Sequence, residues 1–117
     1  MKREILFQGW SIEQKRWVYG FPVYCETDNS WGIQWWENKV SHLEEVHPDS
    51  VGQFTGLMDC NGAKIFEGDK LHRLLNVHWT VVFQNSKWIA IPKTDSDLYL
   101  DASQFKECEI TGNTFKP

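Results

Sequence analysis

The stretch Val51–Asp69, VGQFTGLMDCNGAKIFEGD, decides how this chain is read. It holds four of the eight glycines and the clearest hairpin signal. Asn61-Gly62 suits the positive φ angles of a two-residue type I′ loop, whose twist matches two antiparallel strands. Phe54, Leu57 and Met58 are apolar anchors before that loop, and Ile65 and Phe66 are anchors after it. Gly52, Gly56 and Gly68 mark places where the backbone bends or another strand passes close by. Glu67-Gly68-Asp69 reads as a turn or bulge that redirects the chain into Lys70-Leu71. Glu67 and Asp69 admit two readings: a carboxylate pair for acid–base work or a cation, or a turn in which Asp69 accepts from nearby amides. With no third ligand nearby in sequence, the turn is favoured.

Working outward, strand signals recur about every ten residues. Ile5-Leu6-Phe7 reads as a short strand closed by Gly9, followed by a polar link from Ser11 to Arg16. Trp17–Phe21 is a second strand, with Pro22 at a sheet edge or bulge and Val23-Tyr24-Cys25 as its continuation. Trp31, Ile33 and Trp35 alternate with Gly32, Gln34 and Trp36, the period of two that gives one buried face. From Glu37 to Asp49 the pattern loosens. Val40, Leu43 and Val46 are three apart, which allows one or two helical turns; the alternative is a short strand around Val40 and a loop, and the favoured reading is a loop with one helical turn, ended by Pro48 either way. Strands follow from Lys70 to Leu75 and Val77 to Phe83. Gln84-Asn85-Ser86 turns the latter back into Lys87–Ile91 as a hairpin. After a polar loop from Pro92 to Asp97 come a strand at Leu98-Tyr99-Leu100, a helical turn capped by Asp101, and a last strand from Cys108 to Ile110. The expectation is an all-β protein, a small barrel or sandwich of short antiparallel strands. From Ile65 onward, five strands with one helical turn before the last predict an SH3-like barrel. The length of 117 residues suits one domain, with two lobes at about 1–50 and 51–117 divided near His47–Ser50.

Composition narrows the chemistry. Aromatic content of 15%, including seven Trp, suits sheets and interaction surfaces. A net charge of −4 argues against general nucleic-acid binding, which needs a basic footprint. Cys25, Cys60 and Cys108 are odd in number and widely spaced, which points to a reducing cytoplasm rather than a secreted disulfide framework. Cys60 is expected at an exposed hairpin tip, and Cys25 and Cys108 as small core residues. No apolar run approaches the ~20 residues of a membrane span, and Met1-Lys2-Arg3-Glu4 precedes too short an apolar stretch for a signal peptide.

The histidines His42, His47, His72 and His78 lack zinc-ligand spacing, and neither Cys-x-x-Cys nor His-x-x-x-His occurs. No nucleophile elbow, Walker loop or dinucleotide fingerprint appears. The expectation is no enzyme, no cofactor and no metal. Lys15-Arg16-Trp17 and Lys87-Trp88 set cations beside indoles, as single-strand binders do. On an acidic chain, alternation with Trp inward and Lys outward is the simpler reading. Three indoles in six residues, Trp31, Trp35 and Trp36, exceed what one buried face needs. They are the candidate interaction surface.

The run VGQFTGL-x-D-x-NG-x-KIFEGD resembles the signature of the YopX family of phage and prophage proteins. The opening MKREILFQGW with Trp17-Val18-Tyr19-Gly20, and the closing Ile110-Thr111-Gly112-Asn113, are similar to that family's two ends. Ser50 departs from the acidic or small residue that often precedes the signature, and the chain stops sooner after Asn113 than the pattern does. The resemblance implies an all-β protein of phage or prophage origin, acting in the host cytoplasm, and carries no established activity. Gly52, Gln53, Phe54, Thr55, Gly56, Asp59, Asn61, Gly62, Glu67, Gly68 and Asp69 are then structural positions. The functional expectation is a non-enzymatic protein that self-associates and binds an unidentified protein partner. The alternative is a nucleic-acid-binding module built on the C-terminal half, using Arg73 and Lys87.

Overall fold

The computed structural model describes residues 4–73, 77–93 and 98–116. Its regular elements are almost all strands. They are β1 (Phe7–Trp10), β2 (Trp17–Cys25), β3 (Ser30–Glu37), β4 (Val40–Val46), β5 (Gly52–Met58), β6 (Lys64–Phe66), β7 (Asp69–His72), β8 (His78–Gln84), β9 (Lys87–Pro92), β10 (Leu100–Asp101) and β11 (Glu109–Asn113). Short 3-10 turns cover Pro48–Ser50 and Ala102–Glu107. The chain divides into two units, Met1–Gln53 and Phe54–Lys116.

The first unit is an antiparallel meander in which β1 pairs with β2, β2 with β3 and β3 with β4. It then curls shut. Ser11 bridges Val46, the Ile12 amide donates to the Glu45 carbonyl at 3.1 Å, and the His47 amide donates to the Trp10 carbonyl at 3.1 Å. Closure satisfies edge groups that would otherwise invite pairing with another chain. Ser50, almost fully buried, accepts from the Trp10 amide at 2.7 Å and donates to the His47 carbonyl at 2.6 Å. The core is Val18, Ile33 and Val46, with Phe7, Trp31, Trp35 and Val51 packed against it. Gly9 lies inside β1 rather than closing a strand at Ile5–Phe7, and a β-carbon there would meet Ile33 and Val46 at 2.9 Å, so the close packing of the core selects glycine. β2 runs unbroken through Pro22, in the half of the strand that pairs with β3.

Residues 40–46 are a full strand, not the expected loop with a helical turn. Val46 is buried and His42 and Glu44 half-buried, so the inward residues are spaced by two. The turn that makes this strand is Asn38-Lys39, both at positive φ (51° and 67°), between Glu37 and Val40, which face one another. This is the two-residue geometry expected at Asn61-Gly62. At that site the hairpin instead has a three-residue loop. The Asp59 amide donates to the Ala63 carbonyl at 2.8 Å, the Gly62 amide donates to the Asp59 carbonyl at 3.1 Å, and Gly62 takes φ 81° while Asn61 stays at negative φ.

In the second unit the strands run β10-β9-β8-β7-β11, all antiparallel, with β6 paired to the end of β5. The order of five strands with a 3-10 turn before the last is the one the sequence predicts. Asn85-Ser86, at φ 54° and 64°, closes the β8–β9 hairpin as expected. Asp101 caps the 3-10 turn through a capping box with Gln104. The core holds Ile65, Leu71, Val81, Ala90, Leu100, Phe105 and Cys108. Cys25, expected inside, is exposed at the end of β2, whereas Cys60 is exposed and Cys108 buried as read. The expected strand end at Leu74-Leu75 and most of the loop from Pro92 to Asp97 fall outside the described residues.

Candidate interaction surface

Residues that face one another across antiparallel strands point to the same side of the sheet. Register therefore sorts β2, β3 and β4 into two faces. One carries Val18, Gly20, Pro22, Ile33 and Val46 with Trp31 and Trp35, and it is the core face. The other carries Phe21 opposite Gln34, Gln34 opposite Leu43, Val23 opposite Gly32, and Trp36 opposite Ser41. Tyr19 lies two residues before Phe21 on the same side. On this outer face Trp36 is 60% exposed, Leu43 62%, Phe21 49%, Tyr19 46% and Val23 36%. Five large apolar side chains on one solvent-facing side are unusual, since such patches on soluble proteins mark contact surfaces.

The expected trio of indoles is thus split. Trp36 belongs to the outer face. Trp31 and Trp35 are half-buried against the core, Trp31 tilted on Tyr24 with centroids 5.1 Å apart and Trp35 stacked on His42 at 5.2 Å and 10°. Tyr19, Phe21 and Val23 escape sequence reasoning because β2 is apolar on both sides, and Leu43 because its spacing from Val40 and Val46 mimics a helical stripe. The available signal was the alternation Tyr19-Phe21-Val23 set against Val18-Gly20-Pro22.

The signature residues do different work, mostly within the second unit. Gly52 and Gln53 begin β5 opposite Gln8 and Phe7. Phe54 faces Phe66 with ring centroids 5.6 Å apart. The Thr55 hydroxyl donates to the Ile65 carbonyl at 2.9 Å and accepts from the Leu57 amide at 3.1 Å, and Gly56 at φ 87° sits in the register shift that follows. Asp59 is the hub. Its carboxylate accepts from the Asn61 amide at 2.8 Å, the Ala63 amide at 2.9 Å and, across to β11, the Ile110 amide at 3.2 Å. Burial works to raise its pKa, yet the three amides together hold it below the ordinary aspartate value.

Asp69 is a turn residue, as favoured from sequence. It accepts from the Phe66 amide at 2.8 Å and from the Asn113 side-chain amide at 2.9 Å. Its pKa moves the other way, raised chiefly by burial, with the nearby Asp59 charge adding to the effect. Glu67 is exposed while Asp69 is buried, so the two do not make a matched carboxylate pair. Gly68, at φ 90°, donates to the Val81 carbonyl at 2.9 Å and accepts from the Thr114 amide at 2.8 Å. The signature and the closing Ile110–Asn113 segment therefore meet in space.

The remaining sequence candidates are scattered. His72 and His78 face each other across β7 and β8 with centroids 5.3 Å apart, and His42 lies 3.9 Å from Glu37. Among the described residues no group of three or more His, Cys, Asp or Glu converges to hold a metal. Arg73 pairs with Glu107 at 3.0 Å. The Lys87 ammonium sits 5.0 Å from the centre of the Tyr99 ring, and Trp88 packs against the core. Among the described residues no helix is long and apolar enough to cross a membrane.

Comparison with known proteins agrees with this architecture. No curated protein matches the chain. The crystal structure of protein EF1440 from Enterococcus faecalis is similar at 17% identity with a TM-score of 0.56, over 96% of this chain and 94% of that one, a likeness that speaks for the fold alone. The family model described as YopX protein matches residues 6–116. The chain belongs to the YopX family.

Proposed function

We propose that this YopX protein is a non-enzymatic interaction protein that self-associates through the outer face of β2–β4. The observation that carries this reading is the row of exposed apolar side chains, Tyr19, Phe21, Val23, Trp36 and Leu43. A two-fold pair would place the same patch on both copies. Covering these side chains on two copies would remove on the order of 1,000 Å² from water, the lower bound for a specific interface. The family resemblance supports a phage or prophage origin and action in a bacterial cytoplasm.

Trp35 and Trp36 separate the reading from its rival. Trp36→Ser should shift the protein toward monomer in size-exclusion light scattering and leave the melting temperature nearly unchanged. Trp35→Ala should lower stability by about 1.5–3 kcal/mol, a fraction of a full aromatic deletion because the ring is half-buried, without removing the interface. A wild-type monomer at micromolar concentration, or an oligomer indifferent to Trp36→Ser, would sink the proposal. The competing reading is nucleic-acid binding by the second unit, which the sequence suggests as an SH3-like barrel. It predicts an oligonucleotide-dependent shift that collapses with added salt. Of the two cations it would use, Arg73 is already paired with Glu107.

A further inference from the structure

The second unit has a cleft on the side of its sheet opposite the Val81–Ala90 core. It has a volume of about 390 Å³ and is lined by Gln84, Asn85, Lys87, Ile89, Ile91, Leu98 and Tyr99. Register explains why these residues meet. Gln84 faces Lys87, Val82 faces Ile89 and Thr80 faces Ile91 across β8–β9. The strand pairing Leu100 with Ala90 sets Tyr99 beside Ile91 on this side. Ile89 is buried and forms the floor, while Ile91 and Tyr99 remain exposed. The Asn85-Ser86 turn fixes the polar end, where the side-chain amides of Gln84 and Asn85 stand near Lys87.

We infer that this cleft binds a small organic anion, a carboxylate on an apolar aliphatic body, with Lys87 holding the charge and Ile89, Ile91 and Leu98 covering the body. The charge arrangement argues for an anion. The Lys87 ammonium reaches the Tyr99 hydroxyl at only 3.4 Å, too long for a strong charge-assisted bond. Asp101, whose charge is felt at Lys87, commits its carboxylate to the Ser103 hydroxyl at 2.9 Å and the Ser103 amide at 3.4 Å as a cap. Among the described residues the ammonium can therefore gain a carboxylate without breaking an ion pair. The Tyr99 face is occupied by Lys87, which disfavours a stacked base and favours an aliphatic body on the isoleucine floor. The volume falls within the range of small-molecule sites, and the lining sets the aliphatic side chains of Ile89, Ile91 and Leu98 beside the polar ends of Gln84, Asn85, Lys87 and Tyr99.

The test is an amide-shift NMR titration of the full chain with sodium hexanoate and, separately, hexan-1-ol. The expected result is saturable shifts within Gln84–Ile91 and at Leu98–Asp101, with hexanoate half-saturating in the millimolar range and hexan-1-ol weaker by about three- to fivefold. Lys87→Gln, a surface change, should erase that preference while leaving the spectrum otherwise folded. Ile91→Ser should weaken both ligands. Absence of shifts at tens of millimolar, equal response to both probes, a preference that survives Lys87→Gln, or shifts confined to Tyr19–Val23 and Trp36–Leu43 would each overturn the inference. Self-association through the outer face of β2–β4 is read separately and does not depend on this outcome.

Discussion

Replacing Asp59 by Asn tests the most consequential contact in the second unit. Asp59 is 6% exposed as a residue, and its carboxylate accepts three backbone amides, two at the hairpin loop and one on β11, fifty-one residues away. Asn keeps one acceptor oxygen. If that oxygen serves Asn61 and Ala63, the new side-chain NH₂ points at the Ile110 amide, and two donors confront each other. Hydrogen bonds to charged groups contribute ~1.5–3 kcal/mol each, but bonds sharing one carboxylate are not additive. The loop amides can partly return to water, whereas the Ile110 amide is left facing a donor. A net loss of about 2–3 kcal/mol follows for Asp59→Asn and slightly more for Asp59→Ala, which abandons all three amides. Urea unfolding at pH 7 reads this as a lower midpoint with an unchanged slope. The pH dependence has a defined sign. The folded pKa lies below the ordinary 3.8, so the charge-linked share of stability is present above the unfolded value and lost as pH falls through the folded one. The gap between wild type and Asp59→Asn should therefore narrow below about pH 4. A loss under 0.5 kcal/mol at neutral pH, on the order of a surface substitution, would refute the hub. So would a gap that widens in acid.

Asp69 should behave oppositely. Its folded pKa is raised mainly by burial, so the native state favours the protonated form, and its contribution is fullest below the unfolded value and declines as pH rises through the folded one. NMR titration of the Asp69 carboxyl should place its midpoint above that of Asp59, and the reverse order would contradict the geometry. Gly9→Ala should cost about 1–3 kcal/mol by overpacking, because the added methyl meets Ile33 and Val46 at 2.9 Å. Thermal unfolding that leaves the midpoint unchanged would mean that the first unit's core yields freely there.

Much of the fold was legible because local chemistry and tertiary placement agreed. Asp101 and Gln104 form the capping box that their spacing advertises, and Gln84-Asn85-Ser86 turns β8 into β9. The failures have physical causes. Asn38-Lys39 carries no glycine, yet it adopts the positive φ angles reserved in prediction for Asn61-Gly62, so β4 lost its hairpin signal. Val40, Leu43 and Val46 mimic a helical stripe, but only Val46 is buried, and Leu43 points to solvent. Cys25 resembles a core residue by type, but it ends a strand whose partners there are Ser30 and solvent. Contacts such as Asp59 with Ile110 and Asn113 with Asp69 span 51 and 44 residues. No local pattern announces them.

The division of labour between the signature and the outer face follows from these contacts. Asp59, Gly68 and Asp69 spend their polar groups on backbone amides and carbonyls of β6, β8 and the C-terminal segment. Thr55 does the same with Ile65 and Leu57. Groups satisfied internally have little left with which to recognise a partner, so the stretch that identifies the family chiefly specifies its fold. Tyr19, Phe21, Trp36 and Leu43 lie outside that stretch and keep roughly half or more of their surface exposed. The proposed self-association should accordingly change through these positions while stability holds, and stability should fall through Asp59 while the exposed apolar face of the first unit stays intact.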